Sequence, residues 1–83
     1  MSVTEQVRRI LADVLQLGDK ANAITDDTPL LGNLPELDSM AVVNLVTAIE
    51  DQFGVLIEDD EISAETFETF GALRAFVAEK AAA

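Results

Sequence analysis

Val3, Val7, Ile10, Leu11 and Val14 fall at offsets 0, 4, 7, 8 and 11 along the chain. That spacing collects them on one helical face and predicts a helix over residues 3–17. Ser2, with Glu5 three residues later, reads as a capping box at its start. Glu5 and Arg9 stand at i,i+4 on the polar side, where opposite charges attract. Gly18 is the expected stop.

No period holds from residue 18 to 37. Gly18, Pro29, Gly32, Asn33 and Pro35 are all turn formers. A loop of about 20 residues is long for a small domain, so it is either functional or partly structured. Its Ile24, Leu30, Leu31, Leu34 and Leu37 are expected to tack it onto a core.

The helical period resumes over residues 39–53. Asp38 or Ser39 can cap this second helix, and Gly54 can end it. Val42, Leu45, Val46, Ile49 and Phe53 form its expected inner stripe. Met40 and Val43 lie off that stripe, on the side of Asn44, Thr47, Glu50 and Asp51. Two readings stay open: the core wraps further round the helix start, or the pair is an apolar docking patch ringed by carboxylates.

Beyond Val55, Leu56 and Ile57 comes the acidic run 58–61. A short helix or turn is expected around residues 59–68, with Ile62 and Phe67 pointing inward. Thr69 can cap a last helix over residues 70–80 that buries Leu73, Phe76 and Val77, with residues 81–83 fraying. No strand period runs for more than a few residues. The pattern predicts an all-α fold, a small four-helix bundle. It has three main helices, one short helix and a long loop between helix 1 and helix 2, as a single domain over residues 1–83.

Charge narrows the function. The 83 residues hold 16 acids and 5 bases, a net charge of −11, yet 49% are hydrophobic. The apolar share excludes a disordered acidic tail. A chain this size buries roughly 60–70% of its unfolded surface, enough for one small core and no deep cleft. No Lys or Arg occurs from residue 21 to 73, a run of 53 residues that holds 12 acids. Phosphate backbones need clustered bases, so nucleic acid is not an expected partner. An anionic membrane surface is not expected either, and a basic protein surface is the natural complement.

Cys, His, Trp and Tyr are all absent. That removes thiol nucleophiles, imidazole bases and Cys or His metal sites. The acidic run 58–61 lacks the spacing and central Gly of a calcium loop. The chain is therefore not expected to be an enzyme or to hold a metal. Without an apolar run long enough for a span or leader, a cytoplasmic location is expected.

One local feature remains, Leu37-Asp38-Ser39-Met40 at the entry to the second helix. A phosphate ester on Ser39 would meet the exposed N–H groups and positive end of that helix. The plainer reading is that Asp38 and Ser39 serve only as caps, a common use of both residues. On these four residues alone the capping reading is the favoured one.

The wider pattern does more. Asp38-Ser39-Met40, then Val43, Leu45-Val46, Ala48-Ile49-Glu50, Phe53-Gly54 and Ile57, resembles the centre of acyl carrier proteins. Asp27-Thr28-Pro29-Leu30-Leu31 looks like the family's upstream loop segment. Glu65-Thr66-Phe67 and Thr69-Phe70-Gly71-Ala72-Leu73 look like its third helix and last-helix entry. The resemblance covers residues 3–80 or so. It implies a carrier with 4′-phosphopantetheine, derived from coenzyme A, attached to Ser39 by a phosphopantetheinyl transferase. The arm's thiol would carry acyl groups as thioesters, and the protein's small apolar core would shelter part of the chain. A chain without cysteine must import any thiol it uses.

The same resemblance implies that an acyl-loading ligase and acyl-transfer or synthase enzymes dock on helix 2, at Met40, Val43, Glu50 and Asp51. The carrier is expected to be a monomer. Ala41 and Asn44 depart from the Asp and Glu common in carriers of fatty acid synthesis, Glu36 from a frequent Gly, and Thr47 from an apolar residue. Each lost surface charge weakens docking by about 0.2–1 kcal/mol. These departures imply a specialised lipid, secondary-metabolite or surface-modification pathway, and the last third is similar to carriers found with bacterial exosortase and exopolysaccharide systems. The competing reading is an acidic helical interaction module with no prosthetic group.

Overall fold

A computed structural model describes residues 2–30, 34 and 37–82, with the backbone alone at Asp59. Its elements in order are α1 (Val3–Leu15), a 3₁₀ helix (Gly18–Ala23), α2 (Ser39–Phe53), a second 3₁₀ helix (Asp59–Glu61) and α3 (Phe70–Ala82). Among the described residues the only β pairing is an isolated bridge, Pro29 to Thr69. The fold is all-helical, as the apolar periods predict.

α1 begins at the expected cap, with the Glu5 N–H donating to Ser2 Oγ at 3.2 Å, while the return bond to the Glu5 carboxylate that would complete a capping box is absent among the described residues. It ends earlier than residue 17. Gln16 takes the left-handed conformation (φ 53°), and the Leu17 N–H donates back to the Ala12 carbonyl at 3.0 Å. That is a Schellman closure with glutamine where glycine is usual. Leu17 is thereby turned into the core, 5% exposed. Gly18 therefore opens the 3₁₀ helix instead of stopping α1. The Glu5–Arg9 pair is not among the ion pairs of the described residues, where Arg74 meets Asp26 and Lys80 meets Glu61.

The long loop is structured at both ends. Ile24, Leu30 and Leu37 are buried and Leu34 is half-buried; Leu31 and Glu36 lie outside the described residues. Residues 26–30 run beside the entry to α3. Gly71 N–H donates to Asp26 O at 2.9 Å, Phe70 N–H to Thr28 O at 2.9 Å, and Leu30 N–H to Glu68 O at 3.1 Å. Arg8 on α1 pins the same region, donating to the Ile24 carbonyl at 3.0 Å while its guanidinium lies 5.6 Å from the Phe70 ring centre. A cation over an aromatic face is favourable, which explains an Arg tolerated this far inside.

α2 has the bounds its caps predict, with Asp38 before it and Gly54 (φ 65°) after it. Its inner face is rotated from the expected stripe. Ala41, Leu45 and Ile49 are buried, while Val42, Val46 and Phe53 are half-buried on the flank. α1 packs against both α2 and α3. Phe70, Leu11, Leu30, Leu45, Ile49 and Leu73 fill the centre of the core. Each such side chain contributes about 1.5–3 kcal/mol by leaving water.

The segment expected as a short helix or turn is both, a 3₁₀ helix followed by tight turns. After the second 3₁₀ helix, Thr66, Phe67 and Glu68 each donate three residues back, to Ser63, Ala64 and Glu65. Phe67 is buried and Ile62 half-buried, as expected. Thr69 caps α3, its Oγ1 accepting from the Ala72 N–H at 3.1 Å. α3 continues through Ala81 and Ala82 where fraying was expected, consistent with the helix propensity of alanine.

Candidate functional site

Ser39 is the first residue of α2, and its environment follows from Asp38. Asp38 is extended (φ −101°, ψ −175°), and its Oδ1 accepts the Ala41 N–H at 2.8 Å. Asp38 is thus the cap. Ser39 is exposed, and its hydroxyl has no hydrogen-bond partner among the described residues. The alternative in which Ser39 serves as the cap is removed.

The first turn of α2 carries no acidic residue. An anion on Ser39 Oγ would meet the positive end of a 15-residue helix with the Asp38 carboxylate already engaged on one N–H. The site fits a phosphate ester, and the chain has no cysteine of its own to supply a thiol.

Met40 and Val43 are 68% and 59% exposed. The core does not wrap round the helix start, so both side chains stay in water as a small apolar patch next to Ser39. Asn44 and Thr47 share that exposed face, and the Thr47 hydroxyl donates to the Val43 carbonyl at 3.0 Å. Ala41 is buried, 8% exposed at the edge of the core, whereas Asn44 lies in open solvent.

Glu50 and Asp51 lie about 17 Å along the helix from Ser39 at 1.5 Å per residue. They are not equivalent. Asp51 is exposed, on the rim of a shallow hollow floored by Ile10, Val14 and Ala48. Glu50 is half-buried, and its Oε2 accepts the Ile57 N–H at 2.9 Å. Periodicity missed this contact because it joins a helix to the irregular segment after it. It also missed Leu56, which is 70% exposed between half-buried Val55 and buried Ile57. Alternation in Val55-Leu56-Ile57 is the signal that could have found it.

An open groove of about 330 Å³ runs beside α2, lined by Val42, Val46, Thr47, Glu50, Ile57 and Ile62, with Val43 at its rim. Across it, Glu61 accepts from Lys80 Nζ at 2.7 and 3.0 Å and from the Glu58 N–H at 2.9 Å. The Lys80 hydrogen bond, then the Glu58 N–H, holds the Glu61 carboxyl below its ordinary pKa of 4.5. Arg74 grips Asp26 at 3.1 and 3.2 Å. The two bases of α3 thus face acids elsewhere, and the α2 face stays acidic. No three His, Cys, Asp or Glu among the described residues converge as a metal site. No described helix is long and apolar enough to cross a membrane.

Residues 5–77 match the family described as Phosphopantetheine attachment site. Acyl carrier proteins of two strains of Nitratidesulfovibrio vulgaris, DP4 and Hildenborough, are each 38% identical over 61 residues. Those matches cover 74% of this chain and 76% of each relative. The solution NMR structure of a holo acyl carrier protein from Nitrosomonas europaea superposes with a TM-score of 0.90 at 54% identity, covering 100% of both chains. With an exposed serine at a helix start, no thiol of its own and these likenesses, the chain belongs to the acyl carrier protein family, whose members are phosphopantetheine-bearing carriers and not enzymes.

Proposed function

We propose that Ser39 carries the 4′-phosphopantetheine arm and that the protein ferries acyl groups for a specialised lipid, secondary-metabolite or surface-modification pathway. The observation that carries the site is the division of labour between neighbours. Asp38 caps α2, and the exposed Ser39 hydroxyl is left without a partner among the described residues. The arm supplies a terminal thiol that holds acyl groups as thioesters. The chain's own residues present the ester at a positive helix end and offer the α2 groove to the apolar part of the cargo.

Partner enzymes, the phosphopantetheinyl transferase first among them, dock on α2. Met40 and Val43 supply apolar contact beside the serine, and Asp51 with Glu50 supplies charge toward a basic partner surface. Asn44 and buried Ala41 distinguish this face from that of fatty-acid-synthesis carriers and support a different set of partners. We take the protein to act as a monomeric single domain in the cytoplasm.

Intact mass after incubation with coenzyme A and a broad-specificity phosphopantetheinyl transferase tests the site, with Ser39→Ala alongside. One added phosphopantetheine in wild type alone is expected. An addition retained in Ser39→Ala moves the site elsewhere. No addition to either folded protein favours the interaction module without a prosthetic group.

A further inference from the structure

The outer wall of the α2 groove belongs to no α-helix. It is residues 57–62, closed by a 3₁₀ turn in which the Glu61 N–H donates to the Glu58 carbonyl at 3.0 Å. Side chains from the two flanking helices tie it down. Glu50 of α2 accepts the Ile57 N–H at one end, and Lys80, in the last turn of α3, grips Glu61 at the other. Ile57 and Ile62, which line the groove, sit at these two anchored ends.

A wall held by side chains stands where those side chains put it. Lys80 and Glu61 are 24% and 32% exposed, so water screens their attraction only in part. Glu61 also holds the Glu58 N–H, so the ion pair fixes both the turn and its distance from α3.

We propose that the Glu61–Lys80 pair is a positioning device for the groove. It sets how closely Ile62 stands toward Val42 and Val46, and so how well the groove encloses an apolar acyl chain borne on Ser39. This rests on the reading of Ser39 and the groove given above. The specificity it implies is for chain length: a chain too short to reach the wall is indifferent to the clasp.

The test uses the holo protein carrying butanoyl or octanoyl, in wild type, Lys80→Met, Lys80→Arg and Glu61→Gln. Lys80→Met keeps an unbranched apolar side chain and removes the charge; Lys80→Arg keeps the pair. The readouts are thioester cleavage by hydroxylamine and hydrogen exchange at the Glu58 amide. Wild type is expected to protect octanoyl over butanoyl. Lys80→Met and Glu61→Gln should speed octanoyl cleavage by up to about fivefold, the most a partly exposed ion pair supplies. Butanoyl cleavage should not change, Glu58 exchange should rise, and Lys80→Arg should restore the wild-type rate. Octanoyl cleavage at the wild-type rate in folded Lys80→Met and Glu61→Gln overturns the proposal. So does equal cleavage of both chains in wild type, since the groove then encloses nothing. Loading at Ser39, read by mass in the same samples, shows separately whether the attachment site stands.

Discussion

Gly71 N–H donates to the Asp26 carbonyl at 2.9 Å, and a Cβ built on Gly71 would stand 2.8 Å from that same oxygen. The position needs glycine for space. It lies inside α3, with no unusual backbone angle. The close approach lets residues 26–30 run along the start of α3, and Arg74, one turn on, then reaches the Asp26 carboxylate.

Gly71→Ala should therefore destabilise the protein by about 1–3 kcal/mol, the cost of forcing atoms into filled space. Helix propensity alone predicts the opposite sign, a gain of about 1 kcal/mol. The urea midpoint decides between them, and a higher midpoint in the variant would refute the steric account.

Asp38 and Ser39 should separate stability from function. Asp38→Ala removes the cap on Ala41 and should cost about 1 kcal/mol. Ser39→Ala removes a hydroxyl without a partner among the described residues and should stay within about 0.5 kcal/mol of wild type while losing the arm. Thermal melts of both variants beside wild type check this, and a Ser39→Ala loss as large as that of Asp38→Ala would return Ser39 to a capping role.

Adjacent acids near the end of α2 should likewise differ. Glu50→Ala leaves the Ile57 N–H without its acceptor and should cost about 1 kcal/mol. Asp51→Lys touches no such bond. Its stability should hold within about 0.5 kcal/mol, while association with the phosphopantetheinyl transferase slows at low salt and loses part of its salt dependence. An unchanged association rate for Asp51→Lys would take Asp51 off the docking face.

Acid should erase the contribution of Glu61. Its folded pKa lies below the ordinary 4.5, chiefly through Lys80. The favourable contribution is present in full above the ordinary value and is lost as pH falls through the folded one. The stability advantage of wild type over Glu61→Gln should hold near neutral pH and shrink once pH drops below about 4.5. Comparing the two proteins cancels the general relief of repulsion that acid brings to a chain of net charge −11. A gap that stays constant down to about pH 3 would show that Lys80 does not act on this carboxylate.

Local sequence alone determined the helices and most of their caps, the closure of α1 at Gln16 excepted. Apolar residues three and four apart mark α1, α2 and α3 because a helix repeats every 3.6 residues, whatever lies beyond it. Ser2, Asp38, Thr69 and Gly54 act on N–H groups and backbone within a turn of themselves, so their roles were legible. Ser39 stood out for the same reason, as did the off-stripe position of Met40 and Val43. Tertiary structure decided the rest. Whether Met40 and Val43 were covered depended on what packs there, and nothing in the described fold covers them. Which flank of α2 faced the core was set by tertiary packing, which buries Ala41, Leu45 and Ile49, a choice that periodicity leaves open by part of a turn. The Asp26–Gly71 approach, the Glu50–Ile57 bond and the Glu61–Lys80 clasp join residues 45, 7 and 19 positions apart. Chain closure alone brings such groups together, and no pattern read within a helical turn encodes it.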